Sequence, residues 1–269
     1  MDVSVIIPFY NAGNYINDAV NSVQTFLNRT DITCEVIITD DGSTDLQSLE
    51  ALLALEKQSG IKVIRQENKG PGAARNTAIR NSSGKYLLFL DSDNKILPRF
   101  IEKGLEILDA GKADIVYGNA QFFGDSSKPL FKSGELNLSK LMARNYIDMC
   151  AMVRRQVWET TGGFDEGEVL RKGQEDWELW ISAYKAGFRF FYVDEILFDY
   201  RVRNASLTNA DSVARYKAAC EYIYRKHPDL VIQVFLTLTD EVHAYERDKQ
   251  KPFRSMLKYA WHKYFNKKR

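Results

Sequence analysis

The chain has little that could bind it together covalently or anchor it. Its three cysteines, Cys34, Cys150 and Cys220, are odd in number, far apart and without metal-ligand spacing. That excludes a disulfide framework or a zinc site and points to a reduced, cytosolic setting. Neither sign of charge is in excess: 37 Lys and Arg stand against 36 Asp and Glu. No overall field is therefore expected to gather nucleic acid, and any charge logic must be local. No segment approaches the roughly 20 apolar residues that a membrane span needs, and the N-terminus opens into a strand without a charged leader, so an integral membrane protein is not expected. Histidine is scarce: His227, His243 and His262 all fall in the C-terminal part and read as surface or helix-end residues. No repeat or low-complexity segment is visible. What remains is an ordinary globular composition, 45% apolar and 27% charged over 269 residues, enough for one or two domains with a substantial core.

The organising stretch is Lys85–Asn94, a short apolar run that stops at Asp91 and Asp93, one residue apart around Ser92. A run that apolar and that short reads as a strand buried on both faces, and aspartates at its end would sit at the sheet rim where open α/β folds place ligands. Two carboxylates so spaced offer hard oxygen ligands for Mg2+ or Mn2+ carrying phosphates, although Asp91 and Asp93 could equally start a turn and cap the helix near Pro98. Two other strands end in the same way. The β-branched run of Val3–Asn11 is closed by Pro8, which cannot donate to a central ladder, so that Pro8 to Asn11, Tyr10 among them, lie at the rim. Cys34–Thr39 closes at Asp40 and Asp41, with Ser43 or Thr44 expected to cap the next helix.

Between these strands, apolar residues recur at helical spacing over 12–27 and 46–55, and a third strand is expected at Ile61–Arg65. Asn68–Asn76 is a glycine-rich loop running into a helix. It lacks the third glycine of a dinucleotide fingerprint, because Arg75 occupies that place, so a Rossmann oxidoreductase is disfavoured. Arg75 points a delocalised cation toward the rim, suited to a diphosphate or to the acidic cluster itself, unless it is a plain surface arginine. With a fifth strand at Ala113–Tyr117, strand and helix alternate strictly, which implies parallel pairing and right-handed crossovers. Tyr10, Asp40, Asp41, Asp91 and Asp93 then converge on one crevice, where so many carboxylates would repel one another without a cation.

These motifs, Val5–Asn11, Asp40–Asp45, Gly70–Asn76 and Leu90–Asp93, in this order and spacing, resemble the family 2 glycosyltransferases with the GT-A fold. The resemblance covers residues 1 to about 208. It implies an α/β architecture with a Rossmann-like mixed sheet flanked by helices, a nucleotide-sugar half (1–118), an acceptor half (119–208) and a helical C-terminal extension (209–269). It further implies a nucleotide-diphosphate sugar donor, UDP-sugar favoured, with Pro8 and Tyr10 lining the nucleoside and Asp41 hydrogen-bonding the base. Asp40, Arg75 and Ser92 join this donor set, Asp91 faces the ribose or donor sugar, and Asp93, with Asp91, holds Mn2+ or Mg2+. In Gln174–Trp180 the family's catalytic base maps onto Asp176, with Glu175 beside it, although acids in a first helical turn are ordinarily there for the helix dipole. Gly162–Glu166 resembles the family's acceptor-side loop.

One departure concerns the metal. The family commonly carries a histidine two residues after the first arginine of Asp199–Ser206, and this chain has Arg203, which could meet the diphosphate instead. The implied reaction is inverting, metal-dependent transfer of a hexosyl or N-acetylhexosaminyl group to an acceptor hydroxyl, in bacterial surface polysaccharide or glycolipid synthesis, on a saccharide or lipid-linked saccharide. Two alternatives are a sugar nucleotidyltransferase and a non-catalytic nucleotide-sugar-binding protein. From Lys251 onward there are seven Lys or Arg and no acid, with Phe253, Met256, Leu257, Ala260, Trp261 and Tyr264 on one helical face. That pattern suits either a helix packed on the domain or peripheral contact at the inner membrane face.

Overall fold

The computed structural model describes residues 1–29, 31–125, 130–203 and 211–250. The basic stretch 251–269, offered above as a membrane contact, and Asn204–Ser206 lie outside these residues. The chain divides into a compact unit of Met1–Ile223 and a second of Tyr224–Arg269.

In chain order the elements are β1 (Val3–Phe9), α1 (Tyr15–Leu27), β2 (Cys34–Asp40), α2 (Leu46–Leu55), β3 (Ile61–Arg65), α3 (Pro71–Arg80), β4 (Tyr86–Phe89), β5 (Lys95–Ile96) and α4 (Pro98–Asp109). Then follow β6 (Ile115–Gly124), β7 (Leu130–Phe131), α5 (Leu138–Ala143), β8 (Met152–Arg154), α6 (Arg155–Thr161), α7 (Glu175–Lys185), β9 (Phe190–Val202), α8 (Asp211–Lys226) and α9 (Pro228–Gln250). One sheet takes the order β3-β2-β1-β4-β8-β6-β9-β5, with β7 on β6. The first four strands of that order are parallel, as strict alternation demands. The sheet becomes mixed at β8, a three-residue strand that runs antiparallel between β4 and β6.

Strand periodicity divides the apolar residues between two faces. Val3, Val5, Ile7, Val36, Ile38 and Leu88 pack with Ile16, Val20, Val23 and Phe26 of α1 and with Phe100, Ile101 and Leu108 of α4. On the other face α3 lies against β1 and β2. It can do so closely because its buried residues include Gly72, Ala73, Ala74 and Ala78. The mixed α/β sheet expected from the sequence is thus present, with two local corrections. The cap of α2 is Asp45, whose side chain accepts from the Ser48 N–H at 2.9 Å, while Ser43 Oγ accepts from the Asn11 N–H instead. The strand expected to end at Tyr117 continues to Gly124, because β9 pairs with it over its whole length.

In the second unit His227 is buried at the start of α9. Ile232, Phe235, Leu236, Val242 and Tyr245 of that helix are exposed. No helix among the described residues is long and apolar enough to cross a membrane.

Candidate active site

The carboxyl ends of β1, β2 and β4 form one rim. Pro8 is part-buried at the end of β1, and Tyr10 beyond it is half exposed, an open aromatic face at the mouth. Asp40 and Asp41 are both buried. Asp40 accepts the Ser43 N–H at 2.9 Å, which folds the turn after β2. Asp41 has three donors: Gln66 Nε2 at 2.7 Å and the Lys69 N–H at 2.8 Å on Oδ1, and the Gly70 N–H at 2.8 Å on Oδ2. Here Asp41 ties the glycine loop to the sheet, and its capacity for a base edge is largely spent.

The loop has little freedom at its last glycine. Gly70 sits at φ 91°, and a Cβ there would run into the Arg171 carbonyl. Gly70→Ala should therefore lower stability by at least ~1–3 kcal/mol from backbone strain alone, with urea unfolding as the measurement.

Arg75 follows on α3 and is 4% exposed. Its guanidinium bridges two carboxylates, Nη2 to Asp91 Oδ1 at 2.6 Å and Nη1 to Glu175 Oε1 at 2.5 Å, with the Phe164 ring 5.5 Å beneath it. Burial opposes its charge, but Asp91 and Glu175 more than offset that and hold it above the ordinary arginine range. Of the two roles open to it, Arg75 meets the acidic cluster. Next to it, Asn76 accepts from the Phe164 N–H and Trp158 Nε1 and donates to the Phe164 carbonyl and Glu166, fixing the loop 162–166. That loop opens with Gly162 in the left-handed conformation that ends α6.

Ser92 lies in the turn after Asp91. Asp93 meets Arg203 Nη2 at 2.8 Å, and its backbone carbonyl accepts from Arg201 Nε at 3.0 Å. Both guanidinium groups stack on Tyr15, and Arg201 also pairs with Asp18. Burial, then the neighbouring Asp91, nevertheless push the Asp93 carboxyl above its ordinary range against the pull of Arg203 and Arg201. Arg203, standing where the resemblance expects histidine, faces the candidate metal carboxylate and not a remote surface.

Sequence reasoning missed Asp148. Burial, then Asp91, raise its carboxyl to about 7, while the Cys150 N–H donates to it at 2.8 Å. It sits in a coil among Ile147, Met149 and Cys150, so its neighbours read as core and nothing in the local pattern marks it. Tyr200 of β9 joins the same group, its phenol raised by burial and then by Asp148, Asp91 and Asp93.

Glu175 and Asp176 open α7. The helix is fixed by two buried indoles, Trp177 Nε1 donating to the Leu141 carbonyl at 2.6 Å and Trp180 Nε1 to the Ile147 carbonyl at 3.2 Å. Gln174 before them is held at φ 74°, a left-handed conformation costly for a residue with a side chain. Asp176 accepts the Trp177 N–H on Oδ1 at 2.7 Å and Asn145 Nδ2 on Oδ2 at 2.7 Å. Burial, then the Glu175 charge, raise its carboxyl to about 7 against the opposing pull of Arg75. It opens on a cavity of about 270 Å³ lined by Phe131, Arg144, Tyr146, Asp148, Gln174 and Tyr216, among others. The structure thus gathers Asp91, Asp148, Glu175 and Asp176 around Arg75, with Asp93 beside Asp91 and Arg203, and Asp40 and Asp41 occupied in folding the adjoining loops.

Among known proteins, the glycosyl transferase family 2 profile matches residues 4–164. The putative teichuronic acid biosynthesis glycosyltransferase TuaG of Bacillus subtilis is 33% identical over 83% of this chain and 87% of its own. An uncharacterized glycosyltransferase of Rickettsia bellii is 34% identical over 67% of this chain, and glycosyltransferase GlyA of Streptococcus pneumoniae 30% over 77%. The chain spans only 26% and 31% of the lengths of those last two. Among solved structures, S. aureus TarS 1–349 in complex with UDP-GlcNAc has a TM-score of 0.66 at 23% identity, covering 81% of this chain and 64% of that one. A match over more than half of the chain, the level of identity to TuaG and the shared GT-A architecture lead to one conclusion: the chain belongs to glycosyl transferase family 2.

Proposed function

We propose that this chain transfers a sugar from a UDP-sugar to an acceptor hydroxyl with inversion at the anomeric carbon, Asp176 acting as the base. The observation that carries this reading is Asp176 itself: a carboxyl raised to about 7, oriented by two hydrogen bonds and open to a cavity across Arg75 from the β4 rim. A general base works best with a pKa near the operating pH, and this one is placed for that. The S. aureus TarS structures with UDP-GlcNAc and UDP support a UDP-sugar donor, for which Pro8, Tyr10, Asp91 and Ser92 are the rim residues of this reading. The name of TuaG supports a role in surface polysaccharide synthesis.

In the reaction the acceptor oxygen attacks the anomeric carbon, its proton passes to Asp176, and the bond to the diphosphate breaks on the opposite face. Asn145 and the Trp177 N–H hold the carboxylate in the orientation for that transfer. Arg75 neutralises Glu175, so that the charge next to the base does not raise its pKa beyond use. Arg203 and Arg201 bring positive charge beside Asp93, where the diphosphate would lie. Asp91 and Asp93 fit Mn2+ or Mg2+: they give the one or two carboxylates that such an ion takes when phosphates complete its shell, and an ion there would share these oxygens with Arg75 and Arg203. Bound there, the ion would offset the charge developing on the departing diphosphate.

Release of UDP from a UDP-sugar tests the reading, whereas release of pyrophosphate would mark a nucleotidyltransferase and release of nothing a mere binder. In thermal unfolding, Asp93→Asn should remove the difference in UDP-induced stabilisation with and without Mn2+, since a ligand stabilises the fold more the further its concentration exceeds its Kd. Equal stabilisation of the wild type with and without Mn2+ would overturn the metal assignment.

A further inference from the structure

The cavity beside Asp176 has walls of a particular chemistry. Phe131, Tyr146 and Tyr216 are aromatic, and Tyr216 is stacked flat on Trp177 with centroids 5.8 Å apart and 5° between the planes. Flat, supported rings of this kind suit the apolar face of a sugar ring. Two polar groups on the wall lack partners. Gln174 Oε1 is buried without a hydrogen bond, on a residue already held in a costly backbone conformation. Arg144 is exposed and, among the described residues, its guanidinium has neither an ion pair nor a hydrogen bond, although Asp148 and Asp176 line the same cavity. A buried carbonyl oxygen without a donor costs free energy unless a ligand supplies one, and a free guanidinium is a fork for a planar or tetrahedral anion.

We propose that this cavity is the acceptor subsite and that it takes a saccharide unit bearing an anionic substituent, carboxylate or phosphate, paired with Arg144, with a ring hydroxyl donating to Gln174 Oε1. This rests on the reading of Asp176 as the base and names the class of acceptor for that site. An anion beside two acidic side chains needs a countercharge, and Arg144 is the cation that lines this cavity. The cavity volume of about 270 Å³ is large enough for a monosaccharide unit.

The test is ligand-observed NMR titration of the full chain with UDP present, comparing methyl β-D-glucoside, methyl β-D-glucuronide and methyl β-D-glucoside 6-phosphate. At least one anionic glycoside should bind ~10-fold more tightly than the neutral one, the scale of a charge-assisted hydrogen bond. That preference should weaken with salt, vanish in Arg144→Gln and return in Arg144→Lys. Which anion gains more distinguishes carboxylate from phosphate. Arg144 is exposed, so the variants should fold, and unchanged melting temperatures check it. Equal binding of neutral and anionic glycosides, or a preference that survives Arg144→Gln, overturns the proposal. UDP release from the donor by the wild type is measured separately. UDP release without an anionic preference refutes only the acceptor class, and no UDP release refutes the reading beneath it.

Discussion

Asp176→Asn should bind the UDP-sugar as the wild type does and transfer it at least ~100-fold more slowly, the usual scale for a positioned general base. The amide keeps the volume of the side chain and an acceptor for the Trp177 N–H, while its NH2 finds a partner in Asn145 only if that amide turns to present its oxygen; in either case the capacity to take a proton is lost. In the wild type, transfer should rise with pH through about 7, where the carboxyl becomes the carboxylate. The variant carries a second signature of opposite sign. A carboxyl whose pKa is raised in the folded state adds stability that is fully present below its unfolded value near 3.8 and is lost as pH rises through about 7. At pH 8 the wild type therefore holds an unfavourably buried charge that the amide does not have. Asp176→Asn should melt higher than the wild type at pH 8, by roughly 2–4 °C for each kcal/mol recovered, and the gap should narrow as pH falls below about 7 and close near the unfolded value of 3.8. A variant that is inactive because it is damaged would melt lower. Glu175→Gln provides the control within the pair: normal transfer by Asp176→Asn alongside loss in Glu175→Gln would reassign the base.

Arg75→Met should be the most destabilising substitution in the site, by about 3–5 kcal/mol in urea or thermal unfolding, because it leaves Asp91 and buried Glu175 without their shared cation. Methionine preserves much of the stem packing against Phe164, so the loss reports on charge. Glu175→Gln in the same chain should restore part of that stability, since the uncompensated charge is then gone. The two effects should be non-additive, as expected for side chains in direct contact. Simple additivity in that cycle would show that the bridge contributes little and that Arg75 acts through packing.

Most of the fold could be read from local pattern because strands buried on both faces leave short apolar runs with abrupt polar ends. Helix α2 falls at Leu46–Leu55 as its periodicity indicates, and β2 and β3 fall where their β-branched runs place them. The mixed part of the sheet was less legible. Strand β8 has three residues, and what makes it a strand is insertion between β4 and β6, which no local pattern encodes. The α2 cap was misread for a related reason: Ser43, Thr44 and Asp45 are all competent, and the choice is made by Asn11, whose N–H donates to Ser43 Oγ and whose Nδ2 donates to Thr44 Oγ1. In the site, Asp91, Asp93, Glu175 and Asp176 stand in strings of acidic residues that draw attention in any reading. Asp148 and Asn145 do not, since the coil holding them shows neither a motif nor a period.

The Arg75 bridge has a thermodynamic corollary. A donor that engages Asp91 competes with the guanidinium for the same oxygen, and whatever hold Arg75 loses on Asp91 it can redirect to Glu175, next to the base. If occupancy at the rim alters the proton affinity of Asp176 in this way, linkage makes the effect reciprocal: the protonation state of Asp176 must alter donor affinity by the same factor.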